Sequence, residues 1–324
     1  MQYEENGRVI RAVGGLFEIL LDEGSTPLSG QCVFSRAKGN FRHAGVTPLP
    51  GDRVRLCFDD TAVANHGAEQ TANGGGAVIA EILDRKNALI RPPMANLDLL
   101  LITVAAAEPA PAVQTVDKLI SIAEFNHITP VLIIGKCDLA PDVAAELKRI
   151  YELAGYPVFL LSATEGDGVD ALRDFLSREM VGKVAAFAGA SGVGKSTLLG
   201  ALFPTLSPET GEISHKIARG KHTTRRVQLY PLDGYENAYL ADTPGFSMLD
   251  FVRFDFFTRD DLLCTMREFL PFVGECRYTK CTHTKEQGCA ILDAVKDGRI
   301  AKSRHESYLE MYEALKNKHE WSRK

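Results

Sequence analysis

The sequence predicts an α/β domain built on a mostly parallel sheet, with a small β-barrel before it and a metal-binding segment after it. Three observations carry this. Short stretches of alternating polarity, cut by Gly and Pro, run to about residue 88; apolar runs alternate with helical patterns from about residue 97; three Cys and one His crowd into residues 276–289. A chain of 324 residues exceeds the roughly 100–200 residues of one domain. The divisions expected are 1–88, 89–250 and 251–324.

Composition narrows the class. With 45% hydrophobic and 24% charged residues, the chain is neither disordered nor collagen-like. The longest apolar window, around Leu99–Ala107, falls well short of the ~18–20 residues of a membrane span, so no membrane partner is expected. Met1-Gln2-Tyr3-Glu4-Glu5 carries no signal-like basic head or apolar run, which points to the cytoplasm. A net charge of −5 excludes a uniformly basic coat but not local basic patches.

In the first module, Gly7–Val13, Leu16–Leu20 and Asp52–Leu56 read as barrel strands, and Ala68–Gly76 as a solvated loop. In the second, the apolar runs Leu99–Ala105, Pro130–Ile134, Val158–Leu161, Val184–Ala188 and Ala238–Ala241 suit buried parallel strands. Val169, Leu172, Phe175 and Leu176 share one helical face, so 168–180 is a covering helix. After about residue 250 a helical stretch, the Cys/His segment and a polar C-terminal helix follow.

Gly189-Ala190-Ser191-Gly192-Val193-Gly194-Lys195-Ser196 matches Gly-x-x-x-x-Gly-Lys-Ser between a strand and a helix continuing through Thr197. Its glycines let backbone N–H groups face phosphate oxygens, Lys195 reaches the β/γ-phosphates, and Ser196 is the expected Mg²⁺ ligand. Asp242-Thr243-Pro244-Gly245 ends a buried strand: Asp242 is placed for metal-bound water and Gly245 for a γ-phosphate, although the same tetrapeptide also makes a plain turn. Between them Gly220-Lys221-His222-Thr223-Thr224 offers hydroxyls for the metal in a basic stretch.

Gly135-Lys136-Cys137-Asp138 resembles the Asn-Lys-x-Asp motif of guanine-nucleotide-binding proteins, with Gly135 in place of the asparagine. A carboxylate at Asp138 accepts from guanine N1–H and N2–H₂, which adenine does not offer; Lys136 would lay its stem over the base. Ser162-Ala163 resembles the motif whose backbone N–H groups approach guanine. In ordinary GTPases the phosphate loop precedes the base-reading motifs. Here it follows them, so the domain resembles a circularly permuted P-loop GTPase.

Cys276, Cys281, His283 and Cys289 give Cys-x4-Cys-x-His-x5-Cys, a donor set suited to one closed structural Zn²⁺ site. Cys32, Cys57, Cys137 and Cys264 are expected as small buried hydrophobes.

Barrel, permuted GTPase and Cys/His module together resemble the RsgA (YjeQ-type) family of small-subunit-dependent GTPases. The segment Arg85–Asp98, the Gly-Lys-His-Thr-Thr run and the metal spacing carry the likeness. The resemblance implies an OB-fold in the first module, a C-terminal zinc-binding domain, and a cytoplasmic role in late maturation of the small ribosomal subunit, with GTP hydrolysis stimulated by that subunit. It aligns the switch threonine, a magnesium ligand and catalytic group, with Thr224, and a catalytic histidine with His222. Phe246 stands where other GTPases carry a water-positioning glutamine, so His222 is expected to position water. The expected partners are the small subunit with its rRNA and GTP/GDP, bound by a monomer. Arg36–His43 and the cluster His215, Lys216, Arg219, Lys221, Arg225 and Arg226 are the candidate RNA contacts. Two rivals remain: a stand-alone nucleotide switch or ATPase, and a zinc-stabilised RNA-binding switch with little or no turnover.

Overall fold

The computed structural model describes residues 3–24, 28–39, 41, 45–58, 77–206, 227–242 and 257–316. His222, Thr223, Thr224, Gly245, Phe246 and the loop Ala68–Gly76 lie outside the described residues, as do all six residues of the second basic cluster and, in the first, Asn40, Arg42 and His43. Contacts group the chain into two compact units: Met1–Asp98, Met180–Ala186 and His222–Gly245 in one, Leu99–Glu179, Phe187–Lys221 and Phe246–Lys324 in the other.

The first unit is built on a closed five-stranded barrel of β1 (Tyr3–Val13), β2 (Leu16–Leu21), β3 (Cys32–Ala37), β4 (Arg53–Phe58) and β5 (Ala77–Ile82). Its order is β1-β2-β3-β5-β4, closed by β4 on β1, with the β3–β5 pair parallel. This is the OB-like arrangement that the resemblance implied. Alternation explains the inside: Phe17, Ile19 and Leu21 of β2 and Val54, Leu56 and Phe58 of β4 all point to the core. Cys57 takes an outward position on β4 and is half-buried, and Cys32 is exposed at the start of β3. Cys137, in the turn after a strand, is half-buried, and Cys264 is exposed. The expectation of four buried thiols is therefore corrected: strand alternation and turn position, not apolar neighbours in sequence, set their exposure.

The Arg85–Asp98 segment earns its polar residues as a clasp. Its short strands β6 (Ala88–Leu89) and β7 (Met94–Ala95) pair. Asn87 bridges to both the N–H and the carbonyl of Leu97 (3.0 and 2.8 Å), and Arg85 forks onto the fully buried Asp52 (2.7 Å to each oxygen). Asp98 accepts from Lys86 Nζ at 2.7 Å and from the Val184 N–H at 2.9 Å.

In the second unit β8 (Leu99–Ala105), α1 (Val113–Phe125), β9 (Thr129–Gly135), α2 (Pro141–Leu153), β10 (Val158–Leu160) and α3 (Val169–Glu179) alternate. The three strands are parallel. Every residue of β8 is buried, as both-face coverage requires. Next, β11 (Val184–Ala188) runs into the phosphate-loop motif and α4 (Lys195–Leu202). The hairpin β12 (Gln228–Pro231) and β13 (Tyr239–Asp242) belongs to the first unit, where β13 lies parallel to Val184–Ala186. Beyond residue 257 two 3₁₀ turns (Leu262–Thr265, Arg267–Phe272) replace the expected helical stretch, Pro271 sitting inside the second. The chain then forms α5 (Ala290–Lys296) and the polar helix α6 (Lys302–Lys316).

Candidate nucleotide site and metal centre

The phosphate loop is shaped by glycines, and at Gly189 the space admits no side chain. Gly189 sits at φ 137°, and a Cβ there would lie 2.2 Å from the Thr103 carbonyl oxygen. Gly192 and Gly194 also hold positive φ (82° and 96°). Gly194 caps α4, whose first residue is Lys195. Lys195 Nζ donates to the Gly189 carbonyl at 2.8 Å and to that of Ala190, and burial lowers its pKa. Ser196 and Thr197 are exposed on the first turn.

A cleft of about 150 Å³ brings the two distant motifs together. Gly135, Lys136, Asp138, Ser162 and Ala163 line one side, and Val193, Gly194 and Thr197 the other. Three contacts fix the base-reading side. Cys137 N–H donates to Leu161 O at 3.2 Å, Leu161 N–H to Ile134 O at 2.8 Å, and Ser162 N–H to Asp167 O at 3.0 Å. Ser162 thus spends its N–H inside the loop. Lys136, at φ 57°, straps the motif to the phosphate loop by donating to Gly192 O at 3.0 Å and to Glu108 O. A Cβ at Gly135 would stand 3.5 Å from Val193 O, an ordinary contact. Sterics do not demand glycine there. Asp242 closes β13, and burial raises its pKa.

The ligand atoms of Cys276, Cys281, His283 and Cys289 lie within 4.8 Å of one another. His283 Nδ1 stands 3.6 Å from Cys276 Sγ and 3.4 Å from Cys289 Sγ, and those sulfurs are 3.9 Å apart. A tetrahedron with Zn–S of about 2.3 Å and Zn–N of about 2.0 Å has edges of about 3.8 Å between sulfurs and about 3.5 Å from sulfur to nitrogen. The three edges among Cys276, His283 and Cys289 fit such an ion, and Cys281 Sγ lies within 4.8 Å to supply the fourth donor. Burial pushes the Cys281 thiol up to about 12 and lowers the His283 pKa.

The supporting shell was not legible in the motif. His305 Nε2 and the His283 carbonyl are 2.8 Å apart, and Tyr308 Oη donates to Thr282 O at 2.9 Å, so α6 holds the loop by its backbone. Glu286 is held at about 2: burial opposes ionisation, but the Thr282 hydroxyl and N–H and the Lys285 N–H outweigh it. Beneath lies Arg304, fully buried, donating to Asp117 Oδ1 at 2.6 Å and Glu268 Oε1 at 2.7 Å. Burial alone would lower the Arg304 pKa; the two carboxylates reverse that and keep it cationic.

Comparison with known proteins places this geometry. The RsgA GTPase family model matches residues 82–252, and the RsgA N-terminal domain model residues 6–64. The chain is 35% identical over 320 residues to a small ribosomal subunit biogenesis GTPase RsgA of Agathobacter rectalis, covering 97% of this chain and 99% of that one. The namesake in Halalkalibacterium halodurans is 37% identical over 317 residues, covering 97% and 98%. The chain belongs to the RsgA GTPase family. Among solved structures, YjeQ of Thermotoga maritima superposes with TM-score 0.78 at 29% identity, covering 98% of this chain and 100% of that one. YloQ, described as a circularly permuted GTPase, gives 0.75 at 28%, covering 98% and 96%. The chain is thus an RsgA-type, circularly permuted GTP hydrolase. The reversed motif order read from the sequence is the permutation itself. Among the described residues of this RsgA chain no helix is long and apolar enough to cross a membrane.

Proposed function

We propose that this RsgA-family enzyme hydrolyses GTP during late maturation of the small ribosomal subunit in the cytoplasm, as a monomer whose turnover the subunit stimulates. The relatives' name, small ribosomal subunit biogenesis GTPase, supports the pathway. The observation that carries the nucleotide reading is the cleft where Asp138 and Lys136 meet Val193, Gly194 and Thr197.

In this reading Gly189 to Thr197 wrap the phosphates with backbone N–H groups, and Lys195 leaves its loop carbonyls for the β/γ-oxygens. Asp138 accepts from guanine N1–H and N2–H₂, Lys136 covers the base, and Ala163, free of the turn contact that uses the Ser162 N–H, donates to the guanine carbonyl. Ser196 and Thr224 would hold Mg²⁺ and Asp242 a water on it, with Gly245 turned toward the γ-phosphate; the ion would neutralise charge on the β- and γ-oxygens. His222 orients the attacking water when the subunit is bound. Residues 1–88 serve as the RNA-facing barrel through the Arg36–His43 patch, 89–250 as the hydrolase, and 251–324 as the module built on Zn²⁺. Cys₃His donors with tetrahedral edge lengths favour zinc over harder ions.

Competition for labelled GTP tests the nucleotide reading. GTP and GDP should displace it while ATP does not, and Asp138→Asn should abolish that preference. Equal displacement by ATP would refute the guanine assignment and favour a general nucleotide switch.

A further inference from the structure

We propose that Arg8, on barrel strand β1, is a positioning residue for Asp242: it fixes β13 through Tyr239 and so ties the barrel to the strand that ends in that aspartate. The inference rests on the reading of Asp242 as the residue that holds metal-bound water.

Arg8 is an improbable barrel residue on stability grounds. It is only 8% exposed, its Nε has no hydrogen-bond partner among the described residues, and its Nη1 reaches the Gly51 carbonyl at a long 3.4 Å. Burial lowers its pKa. A buried cation with an unpartnered Nε is costly, and the group it engages by side-chain hydrogen bond as well as by its charge is Tyr239. Its main companion is the Tyr239 ring, 4.8 Å from the guanidinium carbon to the centroid. Tyr239 opens β13, three residues before Asp242.

A second observation makes the same connection through the backbone. Arg11 of β1 pairs with Gln228 of β12, and Gln228 pairs with Asp242 of β13. The three residues form one transverse row from the barrel to the aspartate. Tyr230, on the same hairpin, feels the charges of Asp242, Arg11 and Glu18 together. Any shift of β1 along its ladder therefore displaces the row that ends in Asp242, and the Arg8–Tyr239 contact holds β13 at its opposite end from Asp242. A carboxylate that holds a metal-bound water tolerates little displacement. The guanine-reading residues Lys136, Asp138 and Ala163 sit on other elements and should not sense the change.

The test uses the full-length protein and three variants, Arg8→Met, Arg8→Lys and Asp242→Asn, in single-turnover GTP hydrolysis titrated with Mg²⁺. GDP affinity without Mg²⁺ and thermal stability are measured alongside. Outer-shell partners typically change metal affinity or activity about 10–100-fold, so Arg8→Met should raise the half-saturating Mg²⁺ concentration about tenfold while GDP affinity moves less than about twofold. Arg8→Lys keeps the charge but loses the flat face over the ring, and should fall between wild type and Arg8→Met. It carries the test alone if Arg8→Met does not fold. An arginine that merely stabilises the barrel would lower the melting temperature and leave Mg²⁺ demand unchanged. If Asp242→Asn raises Mg²⁺ demand and both Arg8 variants match wild type, the coupling is refuted while the site reading survives. If Asp242→Asn itself matches wild type, the reading of Asp242 falls and the proposal with it.

Discussion

Replacing Arg304 with methionine should destabilise the second unit more than any surface change in it. The side chain is fully buried and joins three elements: α6, α1 through Asp117 at 2.6 Å, and the second 3₁₀ turn through Glu268 at 2.7 and 3.3 Å. Methionine fills similar volume but leaves two carboxylates without their cation. Removing one partner of a buried ion pair costs about 3–5 kcal/mol, most of it the penalty of the stranded charge. Tyr151 Oη still donates to Asp117 Oδ1 at 3.1 Å, which holds the expectation near the lower end, about 3 kcal/mol. For a unit of this size that is a fall of roughly 6–12 °C in Tm. The assay is urea unfolding followed by a probe in the second unit, with Arg304→Met compared against Arg304→Met/Asp117→Asn/Glu268→Gln. The triple variant removes the stranded charges and should recover part of the loss. A loss under about 1 kcal/mol in Arg304→Met, or a triple variant no better than the single, would refute the reasoning.

Two further outcomes follow from the same geometry. A strong chelator should strip the ion from Cys276, Cys281, His283 and Cys289 and lower stability, and three thiols beyond those of the metal-loaded protein should then react with an alkylating reagent at alkaline pH, since burial pushes Cys281 up to about 12; reactivity that ignores the chelator would contradict the metal centre. Gly189→Ala places a methyl 2.2 Å from Thr103 O at φ 137°, so nucleotide binding measured by fluorescence titration should be lost and stability should fall by about 1–3 kcal/mol; retained affinity would contradict the assigned loop.

What the sequence made legible was short-range. The phosphate loop, the base-reading segment and the Cys/His spacing are each contained within about a dozen residues, and their chemistry depends on local backbone geometry. The covering helix expected at 168–180 is found at Val169–Glu179 for the same reason. Illegible were the long-range pairings. Arg304 and Asp117 are 187 residues apart, and neither differs in composition from a solvated helix charge. The row Arg11, Gln228, Asp242 depends on a strand pairing between barrel and hairpin that no local pattern encodes. The exposure of the scattered cysteines is equally illegible, because apolar neighbours do not say which face of a strand a residue takes: Cys57 alternates with the buried Leu56 and Phe58.

Phosphate release from GTP by the protein, with and without purified small ribosomal subunits, measures the proposed activity most directly. Release should be slow from the free protein and faster by orders of magnitude with the subunit, an acceleration lost in His222→Ala, because phosphoryl transfer depends on positioning that the subunit completes. Equal release with and without subunits would contradict it, and binding of GTP with no release in either case would leave an RNA-binding nucleotide switch in its place.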